Sequence, residues 1–262
     1  MRYAIGIEYD GSAFCGWQTQ RDDPSVQSAV ETALSRVADH PVRVVCAGRT
    51  DTGVHALGQV AHFDSEALRT RRQWVLGANT NLPTSVSVLW ASEVVDDFHA
   101  RFSAVERSYR YLVLNRPVRP AVRAGKVAWF RKPLDTGLMD QAAQALLGEH
   151  DFSAFRSAGC QARHAVREVK HVSVSRREDE VILDVSANGF LYHMVRNIAG
   201  SLLEVGCAER PAEWIADLLE GQDRTVAGVT AEPDGLYFMG VRYPAQFGLD
   251  QVALRREDDE GQ

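Results

Sequence analysis

The order of strand-like and helix-like segments is the feature that most constrains the fold of this chain. Alternating apolar residues predict a strand at 2–10, and apolar residues at helical spacing predict a helix from Val26 to Val37, which Ser25 can cap. Through residue 104 the pattern is strand, helix, strand, strand, helix, strand, and a looser copy follows. The sequence therefore predicts an α+β fold: two ferredoxin-like (RRM-like) halves that share an extended, mainly antiparallel sheet with helices on one face.

The predicted halves are 1–104 and 105–248, and a polar tail of mixed charge at 249–262 is predicted to be disordered. Residues 150–163 are interpreted as a loop. The other segments follow from the same periodicities. They are strands at 42–46, 58–63, 86–95, 104–115, 166–174, 181–185 and 235–241, and helices at 70–76, 135–147, 191–205 and 212–219.

The composition is that of a globular protein. Of the 262 residues, 45% are hydrophobic and 24% are charged, and no apolar run approaches the length that spans a membrane. The N-terminus is strand-like and carries no signal segment, so the cytoplasm is the predicted location. The cysteines lack paired-ligand spacing, which disfavours a zinc site, and a reducing cytosol disfavours disulfides. They are Cys15, Cys46, Cys160 and Cys207.

Charge is distributed unevenly along the chain. The formal net charge is -6, but residues 101–175 hold 13 Lys/Arg against 6 Asp/Glu, a local balance of +7. Such a basic segment can bind phosphates, and an even spread of its cations over a solvated face is the alternative. Within it, the Arg/Pro-rich connection 116–123 is either a phosphate-facing loop or a surface linker.

The loop from Ala47 to Ala56 is the strongest candidate for chemistry. Gly48 and Gly53 bracket Arg49 and Asp51 just beyond a predicted strand, and glycine permits the tight turn that such a loop needs. A carboxylate there can act as a general base, a metal ligand or a covalent nucleophile. The local sequence holds neither a second carboxylate nor a metal-ligand cluster, which favours a lone ionised carboxylate. An ordinary turn with a solvated arginine is the alternative.

A second candidate lies in the predicted helix at 191–205. His193, Arg196 and Asn197 occupy one side of this helix. An arginine in a largely apolar helix needs a carboxylate partner if it is buried, and Asp51 is an attractive one, because the pairing would keep the pKa of that carboxylate low. An arginine that snorkels to the surface is the alternative.

Two tyrosines of the predicted strand at 104–115 are a third candidate. Tyr109 and Tyr111 share one face and are flanked by Arg107 and Arg110. Aromatic rings among cations can stack on a nucleobase and hold its phosphates. An alternating tyrosine pair can equally belong to the core, so the residues by themselves leave both interpretations open.

Five segments, in this order along the chain, resemble those of the tRNA pseudouridine synthase A family. The most specific is Gly48-Arg49-Thr50-Asp51-Thr52-Gly53-Val54-His55-Ala56, in which Thr52 stands where alanine is frequent in relatives. Together the segments cover nearly the whole chain apart from the tail. The others are Tyr9-Asp10-Gly11 with Gly16-Trp17-Gln18, Arg107-Ser108-Tyr109-Arg110-Tyr111, the stretch Asn188 to Asn197, and Gly235-Leu236-Tyr237.

The resemblance implies an isomerase that converts uridine to pseudouridine at positions 38, 39 and 40 of the tRNA anticodon arm, with base flipping and without a cofactor or metal. It also implies a homodimer in which one tRNA contacts both subunits. The implied site residues are Asp51 as nucleophile, Arg49 in the gap left by the flipped uridine, Tyr109 stacked on the uracil and as a candidate proton acceptor, Arg196 paired with Asp51, Leu236 in the pocket lining, and His193 in substrate binding.

Two other classes of function remain open. A non-catalytic RNA-binding module would use the basic segment and the tyrosines, although Asp51 would repel phosphate. A hydrolase with Asp51 as base is disfavoured, because no second acid or metal cluster lies near it in the sequence. Release of label from C5-tritiated uridine in tRNA separates an isomerase from a binding module, and free uracil would indicate a hydrolase.

Overall fold

The computed structural model describes residues 1–21 and 23–249, so the predicted disordered tail lies outside the described residues from residue 250 onward. These residues form ten strands and five α-helices. The strands are β1 Arg2–Tyr9, β2 Val45–Cys46, β3 His55–Asp64, β4 Val86–Val94, β5 Glu106–Asn115, β6 Ala128–Phe130, β7 Gly148–Asp151, β8 Val166–Arg177, β9 Glu180–Ala187 and β10 Leu236–Arg242. The helices are α1 Val26–Ala38, α2 Arg71–Asn81, α3 Thr136–Ala143, α4 Met194–Gly206 and α5 Trp214–Gly221.

The chain divides into two compact units. The first comprises Met1–Arg107 together with the C-terminal segment that begins at Tyr237, and the second comprises Ser108–Leu236. Sequence order groups the last strand with the second half of the chain, whereas β10 from Tyr237 onward belongs to the first unit. Among the described residues, no helix has the length and apolar character needed to cross a membrane.

In the first unit, β1 lies between two antiparallel neighbours. It pairs with β3 on one side and with β4 on the other, β2 pairs antiparallel with β3, and β10 runs parallel to β3. The register sets Tyr237 of β10 opposite His55 of β3, and Tyr9 of β1 opposite Ala56. The start of β3 is therefore fixed by strands from both ends of the chain.

Local sequence signals explain where the helices of this unit begin. The Ser25 hydroxyl accepts a hydrogen bond from the Ser28 amide at 3.2 Å, and Thr70 forms a reciprocal capping box with Gln73 at the start of α2. Trp74 of α2 is fully buried. Its ring packs on the sheet, with centroids 5.3 Å from Tyr3 and 5.0 Å from Phe63.

In the second unit, β8 pairs antiparallel with β7 and with β9, and β6 runs parallel to β5. Strand β5 lies beside β9, where the Arg110 guanidinium binds both carboxylate oxygens of Asp184 at 2.8 and 3.1 Å. Helices α3, α4 and α5 pack on one another. The apolar core of this unit includes the buried residues Phe152, Phe155, Ile198, Leu202 and Ile215.

An α+β fold with a mixed, mainly antiparallel sheet is confirmed, and the order β1, α1, β2, β3, α2, β4 is the predicted one. The ferredoxin-like halves stay a prediction. Strands β6 and β7 were not predicted. Strand β6 has only three residues, and β7 is polar and lacks an apolar alternation. Strand β7 also overlaps residues 150–163, which were predicted to be a loop. Helix α4 begins at Met194 and not at Leu191, since His193 has φ 60°, outside helical geometry.

Candidate active site

The loop that carries Asp51 connects β2 to β3 in the first unit. Asp51 is half-buried, whereas Arg49 is exposed. The turn closes where the Val54 amide donates to the Asp51 carbonyl at 3.1 Å. Gly53 has φ 79°, a left-handed conformation that favours glycine. The shaped glycine loop that the sequence predicts is therefore present.

Buried neutral side chains hold this loop against the sheet. The Tyr9 hydroxyl of β1 lies 2.7 Å from the Thr50 hydroxyl. The Gln59 side chain of β3 is fully buried, donates to the Gly48 carbonyl at 2.6 Å and accepts from the Gly48 amide at 3.4 Å. Burial raises the pKa of Tyr9, so its phenol stays neutral. We call Tyr9, Gly48, Thr50 and Gln59 the loop clamp.

The segment after β1 also contacts the Asp51 loop. The Trp17 amide donates to the Thr50 carbonyl at 3.0 Å. Gly16 has φ 93°, and a Cβ at this position would lie only 2.8 Å from the Thr50 carbonyl oxygen. A side chain at position 16 would therefore conflict with the loop in both conformation and space.

His55, which begins β3 directly after the loop, is 2% exposed. The Gly11 amide donates to its Nδ1 at 3.0 Å, and an Asp10 carboxylate oxygen lies 3.3 Å from the same nitrogen. Its ring stacks on Tyr237 with centroids 4.7 Å apart. This histidine links the end of the Asp51 loop to β10, the strand from the far end of the chain.

In the second unit, Arg196 lies in the first turn of α4 and is half-buried. Its Nε donates to the Ala231 carbonyl at 2.7 Å, and the Ala231 amide donates back to the Arg196 carbonyl at 3.1 Å. A cation in the first turn of a helix opposes the helix dipole by about 0.3–1 kcal/mol. Arg196 is thus a fixed cation at a helix end where an anion is electrostatically favoured.

A buried polar network fixes the start of α4. Asn197 is fully buried and donates to the Phe155 carbonyl at 2.8 Å. Its side-chain oxygen accepts from an Arg224 Nη at 3.0 Å and from the Thr230 hydroxyl at 2.7 Å. Because all these groups are paired, the network can be buried without leaving an unsatisfied polar atom at Asn197.

His193 directly precedes α4 and has a left-handed backbone with φ 60°. Its Nδ1 lies 3.2 Å from the Ser157 hydroxyl, and its ring stacks on exposed Tyr192 with centroids 3.8 Å apart. This conformation is strained for histidine, and such strain is concentrated at functional sites. The position of His193 is therefore compatible with a binding role.

The two tyrosines of β5 have different environments. Tyr111 is 1% exposed and donates its hydroxyl to the Glu232 carbonyl at 2.7 Å, which makes it a core residue. Tyr109 is 9% exposed and packs edge-on against Phe190, with ring centroids 4.9 Å apart. Strand alternation places both tyrosines on one face and cannot distinguish them. In the structure Tyr111 belongs to the core, so only Tyr109 remains a candidate for substrate contact.

The predicted site residues are distributed over both units. The pairing of Asp51 with Arg196 stays a prediction. Within residues 1–21 and 23–249, no group of three or more His, Cys, Asp or Glu side chains is arranged to hold a metal ion. Arg49 and Asp51 share one loop of the first unit, and Tyr109, His193, Arg196 and buried Leu236 belong to the second.

Comparison with known proteins identifies the family. The family model described as tRNA pseudouridine synthase matches residues 5–103 and 142–244. The chain belongs to the tRNA pseudouridine synthase family. A protein of Hydrogenovibrio crunogenus named tRNA pseudouridine synthase A is 55% identical over 96% of this chain and 96% of its own length. The resemblance predicted from five segments is confirmed.

Other relatives in this family are equally similar. A protein of Xanthomonas euvesicatoria pv. vesicatoria with the same name is 58% identical and covers 95% of this chain and 98% of its own length. Among solved structures, one titled "Crystal Structure of a Cbf5-Nop10-Gar1 Complex" aligns with a TM-score of 0.36 and 11% identity, over 90% of this chain and 48% of that chain. A similarity at this level does not assign a fold.

Several cations of the basic segment in this family member are paired with acids from outside it. Arg110 binds Asp184, and Lys132 binds Glu209. In the Arg/Pro-rich connection, Arg123 pairs with Glu180, and Arg116 lies 3.9 Å from Asp179. The local balance of +7 therefore overstates the charge that is free of acidic partners, and the interpretation of 116–123 as a phosphate-facing loop stays a prediction beside the alternative of a surface linker.

The sequence by itself assigns no role to the loop clamp or to His55. Gln59 offered a usable signal, because it precedes Val60 and Ala61 in a predicted strand, and an amide side chain that is buried in a strand must find hydrogen-bond partners. Tyr9 and Gly16 stood in segments that resemble the family, but only the structure shows that both contact the Asp51 loop.

Proposed function

We propose that this family member isomerises uridine to pseudouridine at positions 38, 39 and 40 of the tRNA anticodon arm. Family membership supports the reaction, and the resemblance of five segments supports the positions. The observation that carries the proposal is Asp51, a half-buried carboxylate on a loop held by the loop clamp. Such preorganisation is what a group that attacks a substrate needs.

The proposed nucleophile is Asp51. Isomerisation breaks the bond between ribose C1′ and N1 of the uracil, rotates the base and joins C1′ to C5, after which C5 loses its proton and N1 gains one. Attack of Asp51 on C6 of the base and attack on C1′ of the ribose are both compatible with this balance. Each route requires the carboxylate to be ionised.

Base flipping is proposed to deliver the uridine. Removing a base from its helix costs a few kcal/mol. Arg49 is exposed on the same loop as Asp51, where its guanidinium can fill the gap that the base leaves. Stacking of the uracil on Tyr109, at roughly 1–3 kcal/mol for each stacked base, offsets the remaining cost. The Tyr109 hydroxyl is then the candidate acceptor of the C5 proton.

Arg196 is proposed to pair with Asp51 and to keep it ionised. The support is physical: a guanidinium in the first turn of α4 opposes the helix dipole, and an anion beside it removes that cost. We also propose that buried Leu236 lines the uracil pocket and that His193 contacts the substrate.

The resemblance supports further proposals about the assembly. We propose a cytoplasmic homodimer in which one tRNA contacts both subunits, without a cofactor. The halves 1–104 and 105–248 are proposed to be ferredoxin-like and to share one extended sheet. Sedimentation with and without a tRNA transcript checks the dimer, since a monomer bound to one tRNA would contradict it.

Tritium release from C5-labelled uridine in a tRNA transcript tests the function. Asp51→Asn and Asp51→Ala are expected to lower kcat/KM by at least about a thousandfold, because no other group replaces the nucleophile. The dissociation constant for tRNA should change little. Thr52→Ala is the matched control, since Thr52 is exposed on the same loop and has no proposed role.

Each failure has a distinct meaning. Substantial turnover by Asp51→Ala would remove the nucleophile assignment. Tight tRNA binding by the unmodified chain without tritium release would indicate a binding module, and free uracil among the products would indicate a hydrolase.

A further inference from the structure

The turn at 98–103, between β4 and β5 of the first unit, is closed by its own hydrogen bonds. The Ser103 amide donates to the His99 carbonyl at 2.9 Å. The amides of Arg101 and Phe102 each donate to Nδ1 of the His99 ring at 3.2 Å. Burial lowers the pKa of His99, which keeps the ring neutral and able to accept. The backbone of this turn is therefore well defined.

Phe102 projects from this turn and is 76% exposed. One face of its ring stacks on His99, with centroids 4.4 Å apart and planes at 29°. His99 in turn lies 4.7 Å from buried His62 of β3. A single exposed aromatic ring is common on protein surfaces. What distinguishes Phe102 is that its ring is supported by His99 and lies beside the Arg101 guanidinium.

Arg107 connects this turn to the Asp51 loop. Its Nε donates to the Ala47 carbonyl at 3.1 Å, and its Nη2 donates to the Arg101 carbonyl at 2.6 Å. Ala47 follows β2 and begins the segment that contains Asp51. One side chain therefore ties the turn that carries Phe102 to the loop that carries the proposed nucleophile.

Two further guanidinium groups lie in the same region. The buried Cys46 thiol at the end of β2 is close enough to Arg49, Arg101 and Arg107 for each to lower its pKa, although burial dominates and raises it to about 12. Arg49 and Arg101 are exposed. The Arg101 guanidinium carbon lies 5.6 Å from the centroid of the Phe102 ring. The surface beside the Asp51 loop therefore combines positive charge with a largely exposed aromatic ring.

We propose that Phe102 stacks on an unpaired nucleobase of the RNA substrate while Arg101 binds an adjacent phosphate. This inference rests on the proposed function, because it takes the ligand to be RNA. Single-stranded RNA fits this surface, since every base has a π-face and every phosphate a negative charge. A second copy of the chain is the competing occupant, and the experiment separates the two.

The experiment measures the dissociation constant and KM of the full chain for a tRNA transcript at fixed salt. Phe102→Leu keeps an apolar side chain but removes the flat ring, and it is expected to raise both constants about 5- to 100-fold. Phe102→Trp should keep them near the original values. Arg101→Ala should weaken binding and lower the slope of log affinity against log salt by about one.

Leu68→Ala is the control, because Leu68 is a 79% exposed apolar residue of the same unit, outside the turn. Unchanged tRNA binding and KM in Phe102→Leu would overturn the inference. A change of oligomeric state with unchanged RNA affinity would overturn it in favour of a second copy. If the unmodified chain releases tritium from labelled tRNA, either result leaves the proposed function intact; if it releases none, the proposed function itself has failed.

Discussion

The Asp51 loop and the start of α4 are both held in place, but by different chemistry. In the first unit, the loop clamp consists of uncharged groups on β1, β3 and the loop itself. In the second unit, Asn197 is held by the charged Arg224 together with Thr230, and Arg196 is anchored to the Ala231 carbonyl. The clamp around Asp51 uses neutral hydrogen bonds, with one guanidinium, that of Arg107, bound only at Ala47 where the loop begins, whereas the start of α4 is held mainly through guanidinium groups.

The two regions therefore have different roles: the loop clamp positions Asp51, and the start of α4 provides positive charge. The loop clamp itself consists of neutral hydrogen bonds, so the clamp sets the geometry of the Asp51 loop. Arg196 carries its charge where the helix dipole disfavours a cation, so the start of α4 supplies an electrostatic field for an anion. We therefore expect substitutions in the loop clamp to affect stability and rate together, and substitution of Arg196 to affect rate far more than stability.

Between these two regions, the largest effect on rate is expected for Arg196→Ala. Loss of the cation should lower kcat/KM about 100-fold or more, whereas the free energy of unfolding should fall by only about 1 kcal/mol, because one hydrogen bond to a carbonyl is lost. Tritium release and urea unfolding measure the two quantities. Arg196→Lys should restore part of the rate, and unchanged activity in Arg196→Ala would remove the proposed role.

Asn197→Ala tests the charged network and should lower the free energy of unfolding by about 4 kcal/mol. The substitution leaves the Phe155 carbonyl and part of the Arg224 guanidinium without a buried partner. Hydrogen exchange should then increase in α4 and remain slow in β3. Equal increases in hydrogen exchange in α4 and β3 would contradict the expectation that the two regions are stabilised independently.

Acid should weaken the first unit through His62. Burial, aided by His99 and Arg2, lowers the pKa of His62 from 6.5 to about 4. The unfolded chain therefore takes up the proton first, so this contribution to stability is complete above pH 6.5 and up to about 3 kcal/mol is lost as the pH falls from 6.5 towards 4. Urea midpoints should drop over this range, and less so in His62→Gln. Identical profiles for both proteins would place the acid sensitivity elsewhere.

Gln59→Ala tests the neutral clamp and is expected to lower the free energy of unfolding by about 2 kcal/mol. Both backbone groups of Gly48 lose their partner, but the remaining clamp bond between Tyr9 and Thr50 is retained. The rate should fall about tenfold, since a loosened loop positions Asp51 poorly. Gln59→Glu keeps the acceptor and loses the donor to the Gly48 carbonyl, so it should not restore the rate. A loss of stability without a loss of rate would limit Gln59 to a structural role.

Much of the fold was predictable, because its elements follow local rules. Ser25 and Thr70 cap helices where the sequence indicates, and alternation locates β1 and β4. Short or polar strands such as β6 and β7 were not predictable. They have no apolar alternation of their own and form because they pair with a neighbouring strand. Of the candidate site, the resemblance named Asp51, Arg49, Tyr109, Arg196, His193 and Leu236 as predictions, whereas Gln59, which contacts the Asp51 loop from β3, received no role.

The sequence by itself determined the α+β class, the position of the Asp51 loop and membership of the family, since periodicity and ordered motifs are properties of the chain. Only the tertiary structure decided that Gln59 and Tyr9 hold that loop, that Tyr111 is core while Tyr109 keeps some exposure, and that β10 pairs with β3. The physical reason is that hydrogen bonds and ion pairs form between groups far apart in sequence. Which charge meets which partner therefore depends on folding, as Arg110 and Asp184 illustrate.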